Sequence, residues 1–232
     1  MENKKQILLT IVLLISSIIF FSYSEIDMVI QDKLFDTQTQ TWLLDKDLQP
    51  YKFIFYDGIK KLLIIIAISF LIALIFFRDK EIIYSRKKAI LTIILSAILV
   101  PLIVGGLKRY TNMPCPKNEI HYGGKYIKTK VWEKYPPKYK AMKKIKCWPA
   151  GHASGGFALL SLVFLFNSRR AKIITIISTL GIAWSMGIYK MLIGDHFFSH
   201  TVITMLIAWL IIITVNQIII KYINFNTKKK YV

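Results

Sequence analysis

Six long apolar segments constrain this chain most, because roughly twenty uncharged residues make a helix that crosses a bilayer. They run from about Ile7 to Ser24, Ile59 to Phe77, Ala89 to Leu107, Ala153 to Phe166, Ile173 to Met191 and Val202 to Ile220. The chain is 54% hydrophobic, above the share usual in soluble domains. The fourth segment is short unless it also includes Gly151 and His152. We predict an all-α fold, a bundle of six transmembrane helices, with residues 1–232 forming a single integral membrane domain.

The first segment has two interpretations. Lys4 and Lys5 precede it, as basic residues precede the apolar core of a signal peptide. Its apolar run is longer than an ordinary signal core, and no clean small-x-small cleavage site follows it. We therefore expect an uncleaved first helix.

Basic residues near the ends of the segments predict the topology. The amino terminus, the second and fourth connections and the tail are all rich in Lys and Arg, and six helices place them on one side. The positive-inside rule makes that side cytoplasmic. The first connection, residues 24–58, lies on the other side and holds seven acidic against three basic side chains, which agrees with the rule.

The third connection departs from this pattern. Residues 108–147 carry twelve basic side chains and two acidic ones, yet the helix count places them outside. Either a span is miscounted, or the loop is basic because it attracts an anionic partner. We favour the second interpretation, because the other basic clusters agree with one another. We expect a long basic extracytoplasmic loop between helices 3 and 4, and no nucleic-acid partner, since such a loop is held between spans.

Both cysteines, Cys115 and Cys147, lie in this basic loop. The extracytoplasmic compartments of bacteria are oxidising enough for two such thiols to pair. A pair would join the two ends of the loop. The alternative is two unrelated thiols, and the sequence leaves both open.

Two short motifs hold three of the four histidines. They are Trp148 to Ser154 and Gly194 to His200, each at the end of an apolar segment, on the same side as Lys108 and Arg109. His196 and His200 are spaced four residues apart and would share one face of a helix. Lys190 places a charge inside or at the edge of an apolar span, which is costly and indicates a functional site.

These residue types suit the hydrolysis of a phosphate ester without a metal. That reaction needs a histidine that attacks phosphorus, a second acid, and cations and N–H groups that hold the phosphoryl oxygens. Lys108, Arg109 and Lys190 are the candidate cations. Gly151 allows the backbone to approach an anion closely, and the helix after it would present free N–H groups.

At these residues the chain resembles the type 2 phosphatidic acid phosphatase superfamily, whose members are six-helix membrane phosphatases with a histidine mechanism. That family has three motifs, K-x6-R-P, P-S-G-H and S-R-x5-H-x3-D. Their counterparts lie between residues 108 and 200 with the spacing kept: Lys108 and Cys115-Pro116; Pro149-Ala150-Gly151-His152; Tyr189-Lys190, His196 and His200.

The resemblance implies a role for each matching residue. His196 would be the nucleophile that forms a phosphohistidine, and His152 the acid that protonates the leaving group. The phosphate would be bound by Lys108, Arg109, Ala150, Gly151 and Lys190. Four positions depart from the family pattern: Cys115 and Lys190 replace arginines, Ala150 replaces a serine, and His200 replaces the aspartate that orients the nucleophile.

The stretch from Gly194 to Ser199 is similar to the corresponding region of bacterial lipid A phosphatases. This similarity implies the inner membrane of a Gram-negative bacterium, with a multi-pass chain and an active site facing the periplasm. The substrate would be lipid A or another anionic lipid phosphate or pyrophosphate. No residue pattern indicates an oligomeric state.

Three alternatives remain open at this point. The same fold would also suit transfer of phosphate between lipids, or a non-catalytic protein that binds anionic lipid, which the four departures motivate. His196 and His200, with Asp195 and His152, are also a plausible zinc ligand set. The sequence lacks the His-Glu-x-x-His motif of a zinc protease, and we expect neither a metal nor another cofactor.

Overall fold

Helices make up nearly all of the regular structure. The computed structural model describes residues 2–139 and 144–230, with side chains at 4–139 and 144–225, so Lys140 and Lys143 of the basic loop lie outside the described residues. The helices are α1 (Glu2–Tyr23), α2 (Ile26–Asp32), α3 (Ile59–Phe76), α4 (Glu81–Leu107), α5 (Gly151–Ala158), α6 (Arg169–Leu192) and α7 (Phe198–Lys230). A π-helix (Phe53–Gly58) leads into α3, and a 3-10 helix (Leu159–Leu165) continues α5.

The predicted all-α membrane bundle is confirmed, but one of the six spans is not a full-length helix. Within the part of the chain that the structure describes, five helices are long and apolar enough to cross a membrane: Lys4–Tyr23, Phe53–Phe76, Glu81–Leu107, Arg169–Leu192 and Phe198–Phe225. The fourth predicted span is a shorter apolar helix, Gly151–Leu165, and it does begin at Gly151. The chain is therefore a multi-pass membrane protein.

The short fourth span gains length from its change of helix type. Its eight α-helical and seven 3-10 residues rise together by about 26 Å, because a 3-10 helix rises about 2.0 Å per residue and an α-helix 1.5 Å. This approaches the ~30 Å thickness of the hydrocarbon core. Ala153 and Phe157 on α5 are almost fully buried between the longer helices.

Small residues allow α5 to pack closely against α6. A Cβ added to Gly156 would lie 2.8 Å from the Cα of Ala183, far inside van der Waals contact. On another face of the bundle, the hydroxyl of Thr92 on α4 donates to the side-chain oxygen of Asn216 on α7 at 3.3 Å. Close packing and interhelical hydrogen bonds are the main attractions between helices in lipid.

The first and third connections meet at the end of the bundle where α5 begins. The first contains α2 and a small antiparallel hairpin of β1 (Phe35–Asp36) and β2 (Thr41–Trp42). The third holds three short 3-10 helices (Pro116–Asn118, Ile120–Tyr122 and Pro137–Tyr139). It docks on α2 through Asp32, which accepts hydrogen bonds from Tyr122 at 2.8 Å and pairs with His121 at 2.9 Å. The acidic first connection is thus partly a folded element.

Gly156→Ala tests the close packing of α5 on α6. We expect it to lower the free energy of unfolding by about 1–3 kcal/mol, because the new methyl group must displace the α6 backbone. Gly181→Ala is the matched control, since a Cβ there meets no atom within 4 Å. It should leave stability unchanged or raise it by less than about 1 kcal/mol. Unfolding in detergent measures both, and an equal effect of the two changes would contradict the packing described here.

Candidate active site

A tight turn between α6 and α7 holds His196. Gly194 adopts a φ of +70°, which favours glycine, and a Cβ there would collide with the indole of Trp42 on β2. The amides of Asp195 and His196 both donate to the carbonyl of Lys190, at 2.8 and 3.2 Å. The turn is therefore fixed from both sides, by its own hydrogen bonds and by the hairpin.

Helix α2 secures the two helix ends that flank this turn. The carboxylate of Asp27 accepts hydrogen bonds from the amide of Ser199, at 2.8 Å, and from its hydroxyl. The side-chain amide of Gln31 donates to the carbonyl of Met191 at 2.9 Å. Burial raises the pKa of Asp27, and the hydrogen bonds from Ser199 oppose that rise. An acidic group at the start of α7 also matches the positive end of the helix dipole.

His196 and His200 face each other through their Nδ1 atoms, which lie 3.3 Å apart. A hydrogen bond between two neutral rings requires a proton on one Nδ1 and a lone pair on the other. If His196 carries that proton, its Nε2 is unprotonated and nucleophilic, and His200 keeps its own proton on Nε2. Among the described residues neither Nε2 has a hydrogen-bond partner.

The environment of His196 keeps its ring neutral. Burial lowers the pKa of His196 well below its usual value, and the nearby charge of Lys108 lowers it further. Only 3% of the residue is exposed. A neutral ring is what an attacking histidine requires.

His152 is the second residue of α5; it lies beside His196 and lines a cavity of the bundle. The two ring centroids are 6.0 Å apart, and the ring of Tyr56 contacts His152 edge-on at 5.0 Å. Within the part of the chain that the structure describes, Nδ1 of His152 has no hydrogen-bond partner. The structure thus brings together His152, His196 and His200, as the sequence predicts.

The start of α5 is fastened to α7. The amide of Ala150 donates to the hydroxyl of Thr204 at 2.8 Å and to the carbonyl of His200 at 3.3 Å. This amide is therefore not free for phosphate, in contrast to the role predicted for Ala150. No side chain caps the helix, so the N–H groups that begin with Gly151 have no partner within it.

Lys108 covers the start of α5. It follows the last residue of α4, and its Cε lies 3.0 Å from the position that a Cβ on Gly151 would take. Burial lowers the pKa of Lys108 to about 8; Asp195 acts against this fall, and Lys190 adds to it. Lys108 is thus a cation beside free helix N–H groups, as an anion site requires.

Asp195 links two further lysines to the site. Its carboxylate pairs with Lys190 at 2.8 Å and with Lys117 at 2.6 Å. Burial alone would raise the pKa of Asp195, but the hydrogen bonds from these two lysines hold it below the usual value. The sequence predicts a role for Lys190 but not for Lys117, which follows Cys115 by two residues. Its place two residues after Cys115, where the family motif has an arginine, is the sequence feature that could have indicated a role for Lys117.

Arg109 does not join the cluster. Its side chain is exposed, and its carbonyl accepts a hydrogen bond from Lys144 at 2.7 Å. Lys108 and Arg109 are adjacent in sequence but differ in placement, because only Lys108 extends over α5. Arg109 therefore belongs to the exposed surface of the basic loop.

Cys115 and Cys147 form a disulfide that closes the basic loop. The Sγ of Cys147 lies 3.5 Å from Nδ1 of His196. Among the described residues one group has the closeness of a metal ligand set, Cys147, His196 and His200. It differs from the set considered from the sequence, in which Asp195 and His152 accompany the two histidines.

Asp27→Asn tests whether α2 holds the turn in place. We expect a loss of about 1–3 kcal/mol in the free energy of unfolding, because a buried charge-assisted hydrogen-bond pair is weakened. Hydrogen exchange should also quicken in residues 193–201. Asp32→Asn, on the same helix but with a half-exposed side chain, should cost less than about 1 kcal/mol. If the two variants exchange alike in that segment, Asp27 does not hold the turn.

Comparison with known protein families identifies the family to which this chain belongs. No curated protein and no solved structure matches the chain. A family model described as the PAP2 superfamily matches residues 89–223, more than half of the chain, from α4 to α7. This stretch includes Lys108, His152, Lys190, His196 and His200. The chain therefore belongs to the PAP2 superfamily, the type 2 phosphatidic acid phosphatases.

Proposed function

We propose that this protein hydrolyses the phosphate or pyrophosphate group of a membrane lipid, without a metal, through a phosphohistidine at His196. Membership of a phosphatase family supports phosphoric ester hydrolysis in general. The histidine mechanism rests on one observation: among the described residues the buried Nε2 of His196 has no hydrogen-bond partner, while its Nδ1 faces His200. His152 and Lys108 lie nearby.

In the first step Nε2 of His196 attacks phosphorus, and the bond from phosphorus to the lipid oxygen breaks. His152 gives its proton to that leaving oxygen. Lys108 and the free N–H groups at the start of α5 hold the charge on the phosphoryl oxygens. Lys190 and Lys117 add positive charge and keep Asp195 from repelling the substrate.

In the second step water hydrolyses the phosphohistidine. His152, now unprotonated, takes a proton from the water as its oxygen attacks phosphorus, and the bond from phosphorus to nitrogen breaks. Inorganic phosphate leaves, and His196 returns to its neutral form. The sum is one water consumed for one phosphate released.

His200 serves this chemistry less well than the aspartate of the family pattern. A neutral imidazole accepts the Nδ1 proton of His196 and so orients the ring. It brings no negative charge to stabilise the cationic phosphohistidine. We therefore expect slower catalysis than an aspartate would support.

The shape of the bundle supports a lipid substrate. A cavity of about 450 Å³ begins beside His152 and Gly151 and continues between α3, α4 and α5. Its walls are mostly apolar and include Leu63, Ile93 and Leu159, with Lys60 and Tyr56 also lining it. An acyl or isoprenoid chain in this cavity would leave its phosphate at the histidines.

The inner membrane of a Gram-negative bacterium, with the site facing the periplasm, is part of the proposal. Basic clusters at the opposite ends of the spans support this orientation. A disulfide beside the site supports an oxidising compartment. Candidate substrates are lipid A, undecaprenyl pyrophosphate and phosphatidylglycerol phosphate.

Phosphate release from these lipids by the purified protein, with a chelator present, tests the proposal. His152→Ala and His196→Ala should each remove nearly all activity, because one supplies the proton and the other the nucleophile. His121→Ala is the matched control, since that histidine is exposed and its side chain pairs with Asp32 of α2. His200→Asp should raise turnover.

Each failure of this experiment has a distinct meaning. Activity that survives both alanine changes would contradict the histidine mechanism, and activity lost to the chelator would support a metal. A wild-type protein that binds the lipids but releases no phosphate would support the non-catalytic alternative. Phosphate recovered on a second lipid would indicate transfer rather than hydrolysis.

The pH profile tests the role of Lys108. Its pKa is lowered to about 8, so the ammonium is charged below that pH and neutral above it. We expect kcat/KM to fall as pH rises through about 8, because phosphate binding loses this charge. Lys108→Arg should move the alkaline fall upward, since guanidinium stays charged. An identical alkaline limb in both proteins would exclude Lys108 as its cause.

A further inference from the structure

Three potential metal ligands meet on the inner side of the two histidines. The Sγ of Cys147 and one ring nitrogen from each of His196 and His200 all lie within 4.8 Å of one another. All three residues are buried: Cys147 and His200 are 0% exposed, and His196 is 3% exposed. This side of His196 is opposite the Nε2 that the proposed reaction uses.

The spacing of these atoms matches a tetrahedral zinc site. Bond lengths of about 2.3 Å to sulfur and 2.05 Å to nitrogen place two nitrogens about 3.3 Å apart and a sulfur about 3.6 Å from a nitrogen. The structure has 3.3 Å between the two Nδ1 atoms and 3.5 Å between Sγ and Nδ1 of His196. The third pair, Sγ of Cys147 and the ligand nitrogen of His200, lies within 4.8 Å, so a closure of this edge by at most about 1.2 Å would bring all three ligands to zinc-binding distances.

The disulfide withholds the third ligand, because a thiolate and not a disulfide sulfur binds zinc. Cys115 is partly exposed, whereas Cys147 is fully buried. A dithiol reductant would therefore attack Sγ of Cys115, forming a mixed disulfide and releasing Cys147 as the thiolate. The second thiol of the reductant then frees Cys115, so that the reductant is oxidised and the protein disulfide gains two electrons.

Cys147 stays beside the histidines for reasons other than the disulfide. The next residue, Trp148, is buried, and its carbonyl accepts a hydrogen bond from Thr111 at 2.8 Å. The amide of Ala150 is bonded to α7. These neighbours fix the backbone on the carboxyl side of Cys147 after the sulfur bond breaks.

We propose that reduction of the disulfide creates a zinc site from Cys147, His196 and His200, and that bound zinc inactivates the enzyme. The thiolate, or a thiol that loses its proton on binding, supplies the sulfur ligand. Zinc takes the lone pair of Nδ1 of His196 in place of the hydrogen bond to His200, so the proton of the neutral ring moves to Nε2. A protonated Nε2 has no lone pair with which to attack phosphorus. The inactivation rests on the function proposed above, whereas metal binding does not.

Two single variants provide a matched test, because both lack the disulfide and only one keeps the inner thiol. Cys115→Ser leaves Cys147 as a thiol beside the histidines, and Cys147→Ser removes it. Both are purified in detergent, freed of any histidine tag and titrated with Co²⁺, whose absorption reports thiolate ligation and tetrahedral geometry. We expect Cys115→Ser to bind a single equivalent with the thiolate band, and Cys147→Ser to show no such band.

The wild-type protein provides a second test, and its result does not depend on whether the variants fold. It is titrated before and after treatment with a dithiol, which is removed under nitrogen before metal is added. Only the reduced protein should show the thiolate band. The absence of that band in both reduced wild type and Cys115→Ser, or its presence in Cys147→Ser, would overturn the proposal.

Phosphate release with and without Zn²⁺ separates this inference from the proposed function. Zinc should abolish most activity of reduced wild type and of Cys115→Ser, and a chelator should restore it; oxidised wild type should keep its activity. If the protein binds metal but releases no phosphate in any form, the result would contradict the proposed phosphatase function but not the proposed metal site. Full activity of the zinc-loaded reduced protein would contradict the inactivation.

Discussion

The contact between the buried imidazoles of His196 and His200 determines most of the proposed chemistry. One proton between the two Nδ1 atoms decides which nitrogen of His196 is free to attack. Burial keeps His196 neutral, and that neutrality serves a nucleophile. The same contact also explains why we expect slow catalysis, because the neutral ring of His200 orients His196 without stabilising its charged form.

Elements far apart in sequence hold this pair in place. Asp27 on α2 binds the start of α7, Trp42 covers the turn at Gly194, and the amide of Ala150 ties α5 to α7. The disulfide joins both ends of the basic loop beside the same histidines. The family model covers residues 89–223, so Asp27 and Trp42 lie outside it. The first connection, although it lies outside the match to the family model, is therefore part of the support of the site.

The sequence predicts the spans and the histidine cluster well, because apolar length and motif spacing are local signals. It places the end of α4 at Leu107 and shows that the fourth span needs Gly151, as observed. It misses α2, since seven residues make only about two turns and are too few to show a helical period. It also misses Lys117, because the role of this residue depends on its contact in space with Asp195.

Detection of the covalent intermediate tests the central claim most directly. The purified protein is mixed with a lipid phosphate and stopped in alkali within the first turnover, because the phosphorus–nitrogen bond of phosphohistidine is labile in acid. Mass spectrometry of the peptides then locates the phosphate. We expect phosphate on His196 of the wild-type protein and none on the His196→Ala variant. Turnover with no phosphorylated histidine, or with phosphate on His152 or His200 instead, would contradict it.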